Sequence, residues 1–186
     1  NQILMVDADT IVHPDCPNFF EETDGKYCGV MNDGCYEWVL RSIKGFGNRL
    51  FNGHRIRPHR YINGGFQIVN KGHRWFFDEM KKYYEGDAEN IRKVIAEVQA
   101  GTDQTILNFM LDIHKVDVKI LPSCYNLQDL WRKNILLVDD MLQHWMKDEL
   151  HFLDAGWVYH FNAIPPNPKR RDQQYWIDRT YRKLYK

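Results

Sequence analysis

Two carboxylates one residue apart, Asp7 and Asp9, follow the apolar run Ile3-Leu4-Met5-Val6. Hard oxygen donors at this spacing suit Mg²⁺ or Mn²⁺, ions that keep coordination positions open for phosphate oxygens. Such a site needs a third protein ligand from elsewhere in the chain. His160, which closes Val158-Tyr159-His160, is the candidate, because imidazole is compatible with Mn²⁺. The basic residues Lys169, Arg170 and Arg171 follow it closely and would suit a diphosphate. Plainer uses exist for the same residues. An Asp-x-Asp pair also serves as a helix cap or solvated turn, and a strand histidine as a hydrogen-bonded core residue.

Two further constellations have the right chemistry for polar ligands. Asn63-Gly64-Gly65 combines a side-chain amide, able to bond hydroxyls as donor or acceptor, with two residues that let a ligand approach the backbone. The alternative is a β-bulge with no ligand. Asp103-Gln104 opens a helical pattern after Thr102. Asp103 then either caps the helix or offers a carboxylate to sugar hydroxyls or an oxocarbenium-like centre.

These residues must be carried by elements readable from periodicity. Residues 3–6 form a continuous apolar run, the pattern of a strand covered on both faces, and ligands of open α/β sheets gather at the carboxyl ends of such strands. A turn at His13-Pro14 and a short helix near Pro17–Glu22 follow. Tyr27–Met31 is a second strand, Cys35–Ile43 a helix, and the glycine-bearing, arginine-rich segment 45–60 a mobile loop. Tyr61–Asn70 is a strand. Trp75–Tyr84 and Ala88–Val98 are helices broken at Gly86, and Thr105–His114 is a third capped from Thr102-Asp103. Val116–Leu121 is a strand, Asp129–Leu150 a mixed helical region and Trp157–Phe161 a short strand. Ile164–Pro168 is a rigid elbow before a basic, aromatic helix at Gln173–Tyr185. Strands and helices alternate, so the class is α/β, with residues 1–186 in one domain and no internal repeat.

Lys plus Arg and Asp plus Glu both count 25, so a net charge of zero gives no general attraction to nucleic acid or a membrane surface. No stretch reaches the ~18 apolar residues of a membrane span. The four cysteines show no paired spacing and read as free thiols, and there is no Asn-x-Ser/Thr sequon. A cytoplasmic protein is the expectation.

Taken in order, ILMVDADTIV, YINGGFQIVNK, GTDQTILNFML, VKILPSCYNLQ and GWVYHFNAIPPNPKR resemble segments of the GT-A glycosyltransferases, in particular the metal-dependent glycogenin-like and galactosyltransferase-like families. The resemblance implies a mixed, mostly parallel sheet flanked by helices, and transfer of a sugar from a nucleotide-diphosphate donor to a hydroxyl acceptor with retention of configuration. It implies Mn²⁺ (or Mg²⁺) on Asp7, Asp9 and His160. Asp103 and Gln104 would act at the donor sugar with Asn63, Gly64 and Gly65, Lys169 on the phosphates, and Tyr125 and Asn126 on the acceptor side. The ending departs from the family pattern His-Phe-x-Gly-x-x-Lys-Pro-Trp, reading His160-Phe161-Asn162-Ala163 with Lys169 displaced.

Such folds carry a nucleotide-binding half before the Asp-x-Asp strand, whereas this sequence begins on it. The expectation is an N-terminally truncated domain with an exposed sheet edge that invites a second copy. One alternative is a sugar-nucleotide-binding remnant without turnover. Another is a haloacid-dehalogenase-like phosphatase, whose hhhDxDxT motif Val6–Thr10 also fits, with Asp7 as nucleophile and Asp9 as acid/base. Its later motifs would have to come from Ser123, Lys133 and Asp139-Asp140, too close together for separate strands with crossover helices.

Overall fold

A computed structural model describes residues 1–142, 149–166 and 171–186. The chain is α/β and divides into two compact units: Asn1–Met5 with Phe19–Leu121, and Val6–Asn18 with Pro122–Lys186.

The first unit holds a four-stranded sheet in the order β1-β4-β3-β5, formed by β1 (Gln2–Val6), β3 (Tyr27–Met31), β4 (Ile62–Asn70) and β5 (Val118–Leu121). Three helices accompany it: α1 (Tyr36–Leu50), α2 (Arg74–Val98) and α3 (Asp103–Ile113). Strand β3 pairs parallel with β5 and antiparallel with β4, so the sheet is mixed, as expected. A long connection containing a helix permits a parallel return but does not force one. Strand β1 lies at the sheet edge, with Ile3 60% and Val6 40% exposed. The exposed edge expected of this strand is thus present, whereas the full cover of its apolar run on both faces is not.

The segment 45–60 is not the loop its glycines suggest. Helix α1 continues to Leu50, burying Val39, Ile43, Phe46 and Gly47. A Cβ on Gly45 would lie 2.5 Å from Val98 Cγ1, and one on Gly47 2.3 Å from the His54 carbonyl oxygen. These glycines mark close approach inside a helix. The real stop comes at Asn52 and Gly53, both at positive φ, where the Gly53 N–H donates to the Gly47 carbonyl at 2.7 Å. The break expected at Gly86 is a kink one residue on, at Asp87 (φ −140°, ψ 27°), within a 25-residue helix. One core joins these elements, with Tyr27, Phe46, Ile62, Phe76, Ile106 and Phe109 buried in it.

The second unit is organised by a two-stranded antiparallel ribbon, β2 (Thr10–Val12) with β6 (Val158–His160), in the register Thr10 to His160, Ile11 to Tyr159 and Val12 to Val158. Strand β2 was not read from the sequence, where three residues are too few for a period. Leu127 bridges to Tyr159 on the other side of β6. Helices α4 (Ile135–Leu142) and α5 (Gln173–Tyr185) complete the unit around Ile11, Leu130, Leu136, Phe152, Phe161 and Trp176. The helical expectation over 143–148 and the end of the elbow, 167–168, lie outside the described residues. No helix among the described residues is long and apolar enough to cross a membrane, and all four cysteines are free.

Candidate functional site

The ribbon of the second unit determines which side chains meet. Strand β1 ends at Val6, and the chain turns through residues 7–9 before β2. Thr10 Oγ1 tightens that turn by donating to the Asp7 carbonyl at 2.8 Å. The Phe161 N–H donates to the Asp9 carbonyl at 3.0 Å, and the His160 N–H to the Leu127 carbonyl at 2.8 Å. Because Thr10 is the register partner of His160, the Asp-x-Asp turn and the end of β6 come together although they lie near opposite ends of the sequence.

His160 Nε2 stands 3.1 Å from Asp9 Oδ1 and 3.4 Å from Asp7 Oδ2. One ligand atom from each of the three residues lies within 4.8 Å of the others. Two ligands of one octahedral ion with bonds of about 2.1 Å lie roughly 3 Å apart when adjacent and about 4 Å when opposite. The spacing therefore fits, and two carboxylates with one imidazole are a donor set for Mn²⁺ or a similar divalent ion. The side chains are graded from inside to outside: His160 is 3% exposed, Asp9 27% and Asp7 57%. The imidazole forms the floor, and the carboxylates open toward solvent, where a further ligand can reach.

Asp9 is held by further hydrogen bonds. Its Oδ2 accepts a 2.9 Å hydrogen bond from Gln173 Nε2, which also donates to the Phe161 carbonyl at 2.8 Å. The Asp9 carboxyl is held below its ordinary range, chiefly by the hydrogen bond with His160, against the opposing effect of burial; Gln173 adds to the lowering. His160 Nδ1 is buried with no hydrogen-bond partner among the described residues. Metal-ligating histidines usually donate this second N–H to an oxygen, and here nothing of that kind fixes the tautomer. Gln173 was read from the sequence only as the start of a helix. Its contact with Asp9 depends on where the first turn of α5 packs, and no local signal reveals that.

Other residues named from the sequence fall as follows. Lys169 and Arg170 lie outside the described residues. Arg171 lies over the Tyr175 ring at 5.2 Å. Tyr125 and Asn126 are buried in a 3₁₀ turn and its end, just before Leu127. Asp139 is buried and accepts from the His151 N–H at 2.8 Å, and burial raises its carboxyl.

Asn63, Gly64, Gly65 and Gln104 come together in the first unit. The pairing of β3 with β4 shifts register between Gly29 and Met31, whose partners are Gln67 and Ile62, so the Asn-Gly-Gly segment lies where the ladder is irregular. Its N–H groups are satisfied by side chains. Gly64 donates to Gln104 Oε1 at 2.8 Å and Gly65 to Asn63 Oδ1 at 2.9 Å, while Asn63 Nδ2 reaches Gln104 Oε1 at 3.3 Å. Gly64 permits the approach, since a Cβ there would lie 3.2 Å from Gln104 Cβ. Thr102 caps α3 through the Gln104 N–H, so the helix begins at Asp103, whose side chain is exposed in the first turn. Asp103 and Gln104 line a cleft of about 180 Å³ with Gly64, Gln67, Tyr84 and Leu107. Asn63 and Gln104 thus have a demonstrable structural task, and the buried Gln104 Nε2, without a partner among the described residues, is the polar group left over.

No protein-family model, curated protein or solved structure matches this chain.

Proposed function

We propose that the chain is a metal-dependent glycosyltransferase of GT-A type, moving a sugar from a nucleotide-diphosphate donor to a hydroxyl acceptor. The observation that carries the reading is the meeting of Asp7, Asp9 and His160 in one cluster of the second unit, with ligand atoms within 4.8 Å of one another. Asp9 directly precedes β2 and His160 closes β6, strands that pair only in the folded chain, and the donor set suits an ion that retains places for phosphate oxygens.

A divalent ion held there would offset the charge that develops on a departing nucleoside diphosphate. The protein's own part is to hold the ligands. Gln173 and the Phe161 N–H orient Asp9, the buried ribbon fixes His160, and the Thr10 hydroxyl closes the turn that carries Asp7. Binding a cation requires His160 Nε2 to be free of its proton, so uptake is accompanied by proton release when that nitrogen carries one.

The test is calorimetry of Mn²⁺ binding by the full chain, followed by nucleotide-sugar hydrolysis and transfer assays over a panel of donors. Saturable Mn²⁺ binding lost in Asp9→Ala and His160→Ala, together with metal-dependent donor turnover, is the expected result. Absence of Mn²⁺ binding would remove the basis of the reading. Metal and nucleotide-sugar binding without turnover would favour a non-catalytic binding protein.

A further inference from the structure

The first unit concentrates cations that the Asp7 cluster does not use. Although the whole chain has a formal net charge of zero, residues 54–60 read His-Arg-Ile-Arg-Pro-His-Arg. Ile56 is buried and pins this extended stretch to the core, leaving Arg55 and Arg57 exposed on either side of it. Pro58 then opens a 3₁₀ turn, Pro58–Arg60, closed by the Arg60 N–H on the Arg57 carbonyl at 2.9 Å. The turn brings His59 and Arg60 to the same place. Arg55, Arg57, His59 and Arg60 line one cleft of about 690 Å³, with Asp112 and Ile120.

The charges in this cleft do not balance. Arg55 donates to Asn48 Oδ1 at 2.6 Å and to the His54 carbonyl at 3.2 Å, and Arg60 donates to the Val118 carbonyl at 3.0 Å. These bonds orient two guanidinium groups without neutralising either. Asp112 is the one carboxylate in the lining, and it is already engaged by His54 Nε2 at 2.7 Å. The Arg57 guanidinium has no protein partner among the described residues. Like charges gathered this closely repel one another, and an anion relieves that repulsion.

We propose that this cleft binds a small molecule bearing a phosphate or diphosphate, with Arg57 as its principal contact and Arg55 and Arg60 as pre-oriented flanking donors. The planar guanidinium fork matches phosphate oxygens in paired hydrogen bonds, and two forks fixed in advance reduce the ordering that binding requires. The volume exceeds that of a bare phosphate and falls in the range of small-molecule sites, with Ile120 as an apolar wall for the remainder of the ligand. The proposal is independent of the metal reading and shares no residue with it.

The experiment titrates the full chain with inorganic pyrophosphate at low salt and in EDTA, which keeps any cation site empty. Saturable binding is expected, weakened about tenfold by Arg57→Ala, the scale of one charge-assisted bidentate contact, and less by Arg57→Lys, which keeps the charge but loses the fork. Arg92→Ala should bind as the parent does. Affinity should fall with added salt. Absence of saturable binding, an unchanged affinity in Arg57→Ala, or an equal loss in Arg92→Ala would overturn the proposal. Circular dichroism verifies the fold of each variant, and Arg57→Gln, which preserves the stem, carries the same test if the alanine variant is not folded.

Discussion

Replacing Gln173 by alanine isolates the step between fold and metal site. The side chain touches no candidate ligand other than Asp9, yet it holds Asp9 Oδ2 at 2.9 Å and the Phe161 carbonyl at 2.8 Å with a single amide nitrogen. A hydrogen bond to a charged group contributes about 1.5–3 kcal/mol, and tenfold in affinity corresponds to about 1.4 kcal/mol. Because the Asp9 side chain is 27% exposed, water replaces part of the lost bond and the lower end of that range applies. Mn²⁺ affinity should therefore fall about tenfold in Gln173→Ala, within the range typical of residues that orient metal ligands. Asp9→Ala, which removes a candidate ligand and its charge, should abolish measurable binding. Calorimetric titration of both variants beside the parent provides the numbers, and a urea melt without metal reports the change in fold stability, expected near 1 kcal/mol for Gln173→Ala. An Mn²⁺ affinity within twofold of the parent would refute the reasoning: either Asp9 does not bind the ion, or Gln173 does not position it.

Other outcomes follow from the same geometry. The folded Asp9 carboxyl titrates below its unfolded value, mainly through His160, so its contribution to stability is present above about pH 4 and disappears as pH falls through the lower folded value. The stability difference between the parent and Asp9→Asn in urea should accordingly narrow from pH 7 toward pH 3, and a constant difference would contradict the assigned cause. Gly47→Ala should destabilise by about 1–3 kcal/mol, because its Cβ would lie 2.3 Å from a backbone oxygen, whereas Gly86→Ala meets nothing within 4 Å and should be neutral or stabilising by up to about 1 kcal/mol. Thermal melts of the pair decide whether both glycines are interchangeable, as a loop would allow. Asn108→Leu should cost about 3 kcal/mol in a denaturant melt, since the buried amide bonds both the N–H and the carbonyl of Ile62 as well as the Gln104 carbonyl.

Local patterns account for much of the architecture. The strand at Tyr27–Met31, the cap at Thr102 and the helix Gln173–Tyr185 stand where period, capping chemistry and turn residues put them, because each depends on interactions within a few residues. The chemistry of Asp7 and Asp9 was equally legible, since carboxylate identity and spacing are properties of adjacent residues. Most long-range facts were not. Gly45 and Gly47 look like loop residues until Val98 and the His54 carbonyl occupy the space their side chains would need. The exposed edge of β1 was expected only through the resemblance, since no property of Ile3–Val6 by itself encodes a strand's place in a sheet. His160 was named as the third ligand from its place at the end of a short strand and from the resemblance; its meeting with Asp9 arises from the pairing of β6 with β2, a strand too short for any sequence period. Gln173 reaches Asp9 only because α5 begins beside that ribbon. Residue types state which chemistry is possible. Which of those residues meet depends on pairings between distant segments, and burial of the whole core, rather than any local preference, selects those pairings.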